Sequence, residues 1–383
     1  MTTLKGITWN HTRGFVSAVA SAQRFNELNP QTDVEWKKRT LQEFADKPLV
    51  DMVGDFDLLV IDNPWMGYVA EHDVLLPLDE YLPKEYLLDQ QQNSVGKSCE
   101  SYAYNNHQWA LAIDAAAPVS AYRPDLLQKA NEQVPQTFDQ LIALGKKGLV
   151  CCPSIPLDVY GNFLNLLQAA KVDIFTNDFE VAPEKDCLLA LERLKQLSDV
   201  VPSEFFELNP IRTMEVMSQT DEFAYAPYTY GYTNYSREGY SPKLVKFGDV
   251  IGIEASSPGA TMLGGTGIAI SAKSKNIEEA VEFVKYIASA HVQNTVFFTS
   301  GGQPGHRSAW TNEAHDQLCS SFFKDTLPTL DRAFVRPRYN GYLEFQDHVG
   351  DPIQEYLRVG GSAKSLLSKI NQMYQESKTL QCK

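Results

Sequence analysis

The segment DFDLLVIDNP, residues 55–64, constrains this chain more than any other stretch. Its strand, Phe56–Ile61, is apolar on both faces, as expected of a parallel strand covered by helices on both sides. Upstream, LKGITW reads as a short apolar strand, and after a polar loop Val16, Val19, Ala20, Ala22, Phe25 and Leu28 recur at helical spacing until Asn29–Pro30 stops the pattern. DVEWKKR supplies a second strand and a short polar helix follows. The order β-α-β-α-β opens an α/β fold.

In an open α/β sheet, ligands bind outside the carboxyl ends of the strands. The loops WNHTR and DNPW lie there, which brings together Trp9, Asn10, His11, Arg13, Asp62, Asn63 and Trp65. Gly14 and Phe15 start a helix whose free amides, with Arg13, favour an anionic or strongly polar group. The competing reading makes Trp9 and Trp65 core anchors and Asp62 a helix cap.

Further along, Asn105–Asn106 reads as a turn between two strands, a helix opens at Pro124, and Thr137 is a plausible N-cap for another. Helical patterns fill roughly 159–170, 186–197, 277–290 and 363–374. FAYAPYTYGYTNYS concentrates Tyr225, Tyr228, Tyr230, Tyr232 and Tyr235 with Asn234. Rings with a polar tip stack on sugars or other planar ligands, and alternate tyrosines equally line the buried face of a strand. Tyr230, Tyr232 and Asn234 flank Gly231 and are the better binding candidates. Arg307, Arg336 and Arg338 offer forked donors to a carboxylate or phosphate, with surface solvation as the alternative.

GGTGIAIS lacks the third glycine, the following helix and the downstream acid of a dinucleotide site. Ile268 and Ile270 alternate as in a strand, so Gly264, Gly265 and Gly267 mark close backbone approach. No phosphate-loop, zinc-protease, thiol-redox or nucleophile-elbow motif occurs, and the seven histidines show no metal-ligand spacing. No cofactor is expected. A formal charge of −14, from 34 basic and 48 acidic side chains without a basic run, leaves no footprint for nucleic acid. No apolar run is long enough for a membrane span.

At 383 residues the chain is long enough for two domains, or one built from two lobes. Cys99, Cys151, Cys152, Cys187, Cys319 and Cys382 are even in number, but adjacent Cys151 and Cys152 argue against a regular disulfide framework. With no export signal in MTTLKGITWNHTRGF, the expectation is a reducing, cytoplasmic location, or a periplasmic one if a signal has been removed.

Six segments in order carry a family resemblance: RFNELNPQTDVEW, FDLLVIDNPWMGYVAEHDVLLPLDEYL, WALAIDAAAPVSAYRPDLL, VPQTFDQLIALGKKG, GGTGIAISAKSKNIEEAVEFVKYIAS and GGQPGHRSAW. Together they resemble the sugar-binding group of periplasmic-type solute-binding proteins, extracellular family 1 of ATP-driven (ABC) importers. The resemblance implies a two-lobed α/β fold of the class II periplasmic-binding type, with a ligand clamped between lobes joined by crossover hinge segments. By analogy the first lobe takes residues 1–113 and 262–309, and the second 114–261 and 310–383. It further implies a non-catalytic monomer holding a small polar ligand, with an importer permease as partner. The positions carried over are Trp9, Asn10, His11, Arg13, Asp62, Asn63, Trp65, Asp114, Tyr230, Tyr232, Asn234, Gly265, Thr266, Gln303 and Arg307.

The ligand expected from the family is a carbohydrate or sugar acid, and the arginines point toward an acidic one. Two other readings remain at this level: an enzyme using His11 or Asp62 as general acid or base in the same cleft, and an intracellular accessory protein that keeps the fold without transport.

Overall fold

A computed structural model describes residues 1–254 and 257–379. The β-α-β-α-β start is present: β1 (Thr2–Trp9), helix Ser17–Leu28, β2 (Thr32–Arg39), helix Leu41–Asp46 and β3 (Leu58–Ile61). β1 pairs in parallel with both β2 and β3. The side chains of β3 divide between two cores, with Leu58 and Val60 on one face of the sheet and Leu59 and Ile61 on the other. A strand buried on both faces needs an apolar residue at every position, which is what this stretch supplies.

The first helix corrects the sequence reading of its face. Val16, Val19 and Leu28 are exposed, while Ala18, Ser21, Ala22 and Phe25 face inward. Small residues let this helix lie close to the sheet, so the buried stripe is not the most hydrophobic one.

A two-residue hairpin, β4 (Ala103–Tyr104) and β5 (His107–Gln108), turns at Asn105 and Asn106, both left-handed at φ 49° and 66°. Then β6 (Leu111–Ala116) and β7 (Pro118–Tyr122) diverge into different sheets although one residue separates them. The helix Phe138–Gly145 starts as expected, with Thr137 accepting from the Gln140 amide. The remaining strands are β8 (Tyr225–Tyr230), β9 (Lys246–Gly248) and β10 (Gly264–Ile270).

The first sheet has the order β2-β1-β3-β10-β6 and the second β8-β7-β9. The late strand β10 enters the first sheet antiparallel to both β3 and β6. These sheets belong to two lobes. Behind the second, helix Pro156–Ala169 packs on helix Tyr342–Val359 through Tyr160, Phe163, Phe345, Val349 and Ile353. The chain passes between sheets at β6–β7 and again before β10, and the cleft opens beside these crossings. Among the described residues no helix is long and apolar enough to cross a membrane. The five described cysteines are buried free thiols, and Cys382 lies outside the described residues.

Candidate functional site

A cavity of about 160 Å³ lies between the loops of the two sheets. From the first side come Trp9, Arg13 and Asp62, the helix residues Leu41 and Phe44, and Gly264–Thr266 of β10. From the second come Ile155, Leu157, Asp158, Pro210, Tyr230, Tyr232 and Arg336. Its volume is below the ~300–1,000 Å³ of drug-sized sites.

Arg13 is aimed by the turn that follows β1. The His11 Nδ1 accepts the Arg13 amide at 3.0 Å, and the Gly14 and Phe15 amides expected to greet an anion are both bonded to the His11 carbonyl, at 3.1 and 2.7 Å. The guanidinium turns inward, donating from Nε to Asp114 Oδ2 at 2.6 Å, from Nη2 to Asp114 Oδ1, and from Nη1 to the Gly231 carbonyl at 2.9 Å. It lies over the Tyr232 ring, 4.7 Å from the centroid, with Trp9 at 5.6 Å. Burial pushes the Asp114 carboxyl up, opposed by the charge and hydrogen bonds of Arg13, and the guanidinium keeps its proton.

A second pair faces it. Asp62 caps the short turn Asn63–Trp65 through the Asn63 amide and also receives both contacts of Arg336 Nη2, at 2.7 and 2.8 Å. The other arm of Arg336 donates to Gln346 Oε1 at 2.9 Å, anchoring it to helix Tyr342–Val359. Neither arginine is left with a free charge for the ligand.

Asp158 differs from both. It stands in the first turn of helix Pro156–Ala169 and is half-buried, with its Oδ2 sealed from solvent and without a hydrogen-bond partner among the described residues. Burial alone pushes its carboxyl up to about 8.

Of the sequence candidates, Trp9, Arg13, Asp62, Tyr230, Tyr232, Gly265 and Thr266 line the cavity. Gly265 has φ +97°, and a Cβ there would sit 2.4 Å from the Asp114 carbonyl oxygen, so this close approach requires glycine. Asp114 works from behind, holding Arg13.

The others do not line it. Asn10 is exposed on the far side of the turn, its amide bonded to the Arg39 carbonyl. His11 stacks on Trp9 at 5.4 Å, and burial followed by the Arg13 charge lowers its pKa to about 3, so it stays neutral. Trp65 is a core anchor against Tyr68, and Asn63 is fully buried beneath the turn. Asn234 donates to the Gly301 carbonyl, and Gln303 ties the Thr233 amide to the Ala115 carbonyl. Both are struts at the crossings.

Arg307 forms a forked pair with Asp331 at 2.6 and 2.7 Å, remote from the cavity lining. Arg338 donates to the carbonyls of Glu100, Ser101 and Ala103. Within the tyrosine segment both readings hold, divided by position: Tyr225, Tyr228 and Tyr235 belong to cores, and Tyr230 and Tyr232 reach the cavity.

The sequence reading missed Asp158 and the apolar residues Leu41, Phe44, Ile155, Leu157, Pro210 and Met262. The available signal was PSIPLD: a proline at the first helical position followed two residues on by an acid marks a helix start.

A cleft between two sheets, closed by side chains from both, defines a protein that encloses a small molecule. The description "Bacterial extracellular solute-binding protein" belongs to the family model matched by residues 8–294, and the chain is a member of that family. A "Maltotriose-binding protein" of Pyrococcus abyssi is 26% identical over 120 residues, which span 31% of this chain but only 25% of that protein. Among solved structures, the maltose-bound MalE3 of T. maritima superposes with a TM-score of 0.83 at 17% identity, covering 98% of this chain and 100% of that one. A ribitol complex of a solute-binding protein from Agrobacterium radiobacter K84 gives 0.80 at 21% identity, with 98% of each chain covered. These last two likenesses establish the two-lobed fold.

Proposed function

We propose that this protein clamps a carbohydrate or polyol of about one sugar ring between its lobes and delivers it, as a monomer, to an ABC importer permease. The observation that carries the ligand class is that both cavity-facing arginines are consumed by the chain's own carboxylates, Arg13 by Asp114 and Arg336 by Asp62. A sugar acid or organic acid would find no free cation, so the acidic ligand expected from the arginines is not the one we propose. The rings of Trp9, Tyr230 and Tyr232 suit the apolar face of a sugar, with Thr266 and Asp158 beside them for hydroxyls. Relatives that carry maltotriose, maltose and ribitol in their names support the same class.

Lobe boundaries at 1–113 with 262–309, and 114–261 with 310–383, are proposed from the family analogy, and the division of strands would move the first of them to Ala117, between β6 and β7. The enzymatic reading loses its named groups, because His11 is a neutral stacking ring and Asp62 is held by Arg336. A location outside the membrane is proposed from the family's description, and the free thiols among the described residues are the ground for the competing one, a reducing compartment. Fractionation of the native source separates them.

Native mass spectrometry for a co-purified molecule, followed by calorimetry across neutral sugars, polyols and sugar acids, tests the ligand class. We expect neutral or basic carbohydrates to bind and acids to fail. An acid that binds more tightly than its neutral counterpart refutes the proposal.

A further inference from the structure

We propose that the ligand is an amine-bearing sugar or polyol, and that Asp158 reads its ammonium group. This rests on the carbohydrate reading above and narrows it.

The charge inventory of the cavity has one unmatched member. Arg13 is matched by Asp114 and Arg336 by Asp62, in forked contacts that leave each pair near neutral. Asp158 has no cation paired with it among the described residues. The groups around it are Cys152 before its own helix, Tyr230 and Tyr232 from the second sheet, Arg13 and Asp62 from the loops of the first, and Arg336 from the approach to helix Tyr342–Val359. None of these donates to its buried Oδ2. The helix N-terminus favours a carboxylate there by a partial charge only. Desolvation prevails, and the empty site keeps a proton.

A carboxyl oxygen sealed from water without a partner, as Asp158 Oδ2 is, costs stability unless something completes it. A hydroxyl completes it in part. An ammonium completes it as an ion pair, with the acid's proton passing to the solvent as the carboxylate forms. The surrounding rings of Trp9, Tyr230 and Tyr232 present faces that tolerate a cation, as the position of Arg13 over Tyr232 shows. Leu41, Phe44, Ile155, Leu157 and Pro210 exclude water from the same space, which strengthens a charge pair formed in it.

The test is calorimetry at pH 7 with matched probes: D-glucosamine, D-galactosamine and D-mannosamine against the parent hexoses, and amino-alditols against sorbitol and mannitol. Each is run in phosphate and in MOPS, whose ionisation enthalpies differ, so that the enthalpy difference counts protons. At least one amine is expected to bind tenfold or more tightly than its neutral counterpart and to release most of a proton. Asp158→Asn is expected to bring the affinities for amine and neutral counterpart within about twofold of each other.

If neutral probes bind as tightly as their amines, or the amine preference survives in Asp158→Asn, this inference is overturned while the carbohydrate proposal stands. If the folded protein binds neither set, both fall. The wild-type comparison needs no variant.

Discussion

Removing Asp114 leaves a charge that cannot be neutralised, and the consequence is calculable. The Arg13 side chain is 4% exposed and its partner 3%, and arginine does not shed its proton in proteins. Asp114→Leu removes both forked contacts and leaves only the Gly231 carbonyl for a buried guanidinium. Breaking one side of a buried pair costs about 3–5 kcal/mol. With about 2.1 cal/mol/K of unfolding entropy per residue over 383 residues, roughly 0.8 kcal/mol/K, the shift is a fall of about 4–6 °C in Tm. Arg13→Met in the same background removes the orphaned charge, and the double variant is expected to recover most of that loss. Scanning calorimetry of the wild type, both singles and the double gives the cycle. An Asp114→Leu shift below 1 °C, or a double variant less stable than that single, would show that Asp114 does not hold Arg13 as the geometry requires.

The pH dependence of Asp158 has a definite sign. Its carboxyl titrates near 8 when folded and near 3.9 when unfolded, so between those values the folded state retains a proton the unfolded chain has lost. Stability contributed below pH 4 is therefore lost as pH rises toward 8, by up to about 1.4 kcal/mol per unit. The Tm advantage of ligand-free Asp158→Asn should grow from pH 5 to pH 8 and then level, and a constant difference contradicts the assignment. Gly264→Val places a Cβ 2.5 Å from the Tyr230 ring, which must swing toward the cavity. Tenfold or greater loss of ligand affinity with an unchanged circular dichroism spectrum is expected, and unchanged affinity would remove Tyr230 from the site. Arg307→Ala should leave affinity intact and cost at most about 1 kcal/mol, because its pair with Asp331 is a third or more exposed on each side.

What could be read from the sequence was what depends on neighbours along the chain. Strand β3 announced its two buried faces because each of its residues enters one of two cores. The glycines of β10 announced close approach, since little else fits against Asp114 and the Tyr230 ring. The buried face of helix Ser17–Leu28 was misread because hydrophobicity does not report how close a helix must lie, and small residues decided it. Within DNPW, neighbouring residues go to different places: Asp62 to the cleft, Asn63 and Trp65 to the interior. A tight turn changes direction at each residue, so adjacency in a loop does not make a shared surface. Asp158 was invisible for the opposite reason: it meets Trp9 only through the closing of a cleft between distant segments.

The two ion pairs and the lone acid can be understood together as a balance. Arg13 to Gly231 and Asp62 to Arg336 each join a loop of the first sheet to a segment beside the second, near the points where the chain crosses. They hold the two sides of the cleft in register. Against them stand buried groups beside the cavity that have no hydrogen-bond partner among the described residues, Asp158 Oδ2 and Arg336 Nε among them. Each such group costs about 1–3 kcal/mol when sealed from water, and opening lets water in. A ligand that satisfies Asp158 removes part of the opposing cost while the cross-links remain, which is the differential affinity that shifts a population. The chain's own charges thus fix the frame of the cleft, and the ligand's part is to satisfy the group that the frame leaves without a partner. A molecule that fills the cavity without reaching Asp158 would occupy the cleft yet hold it shut less firmly.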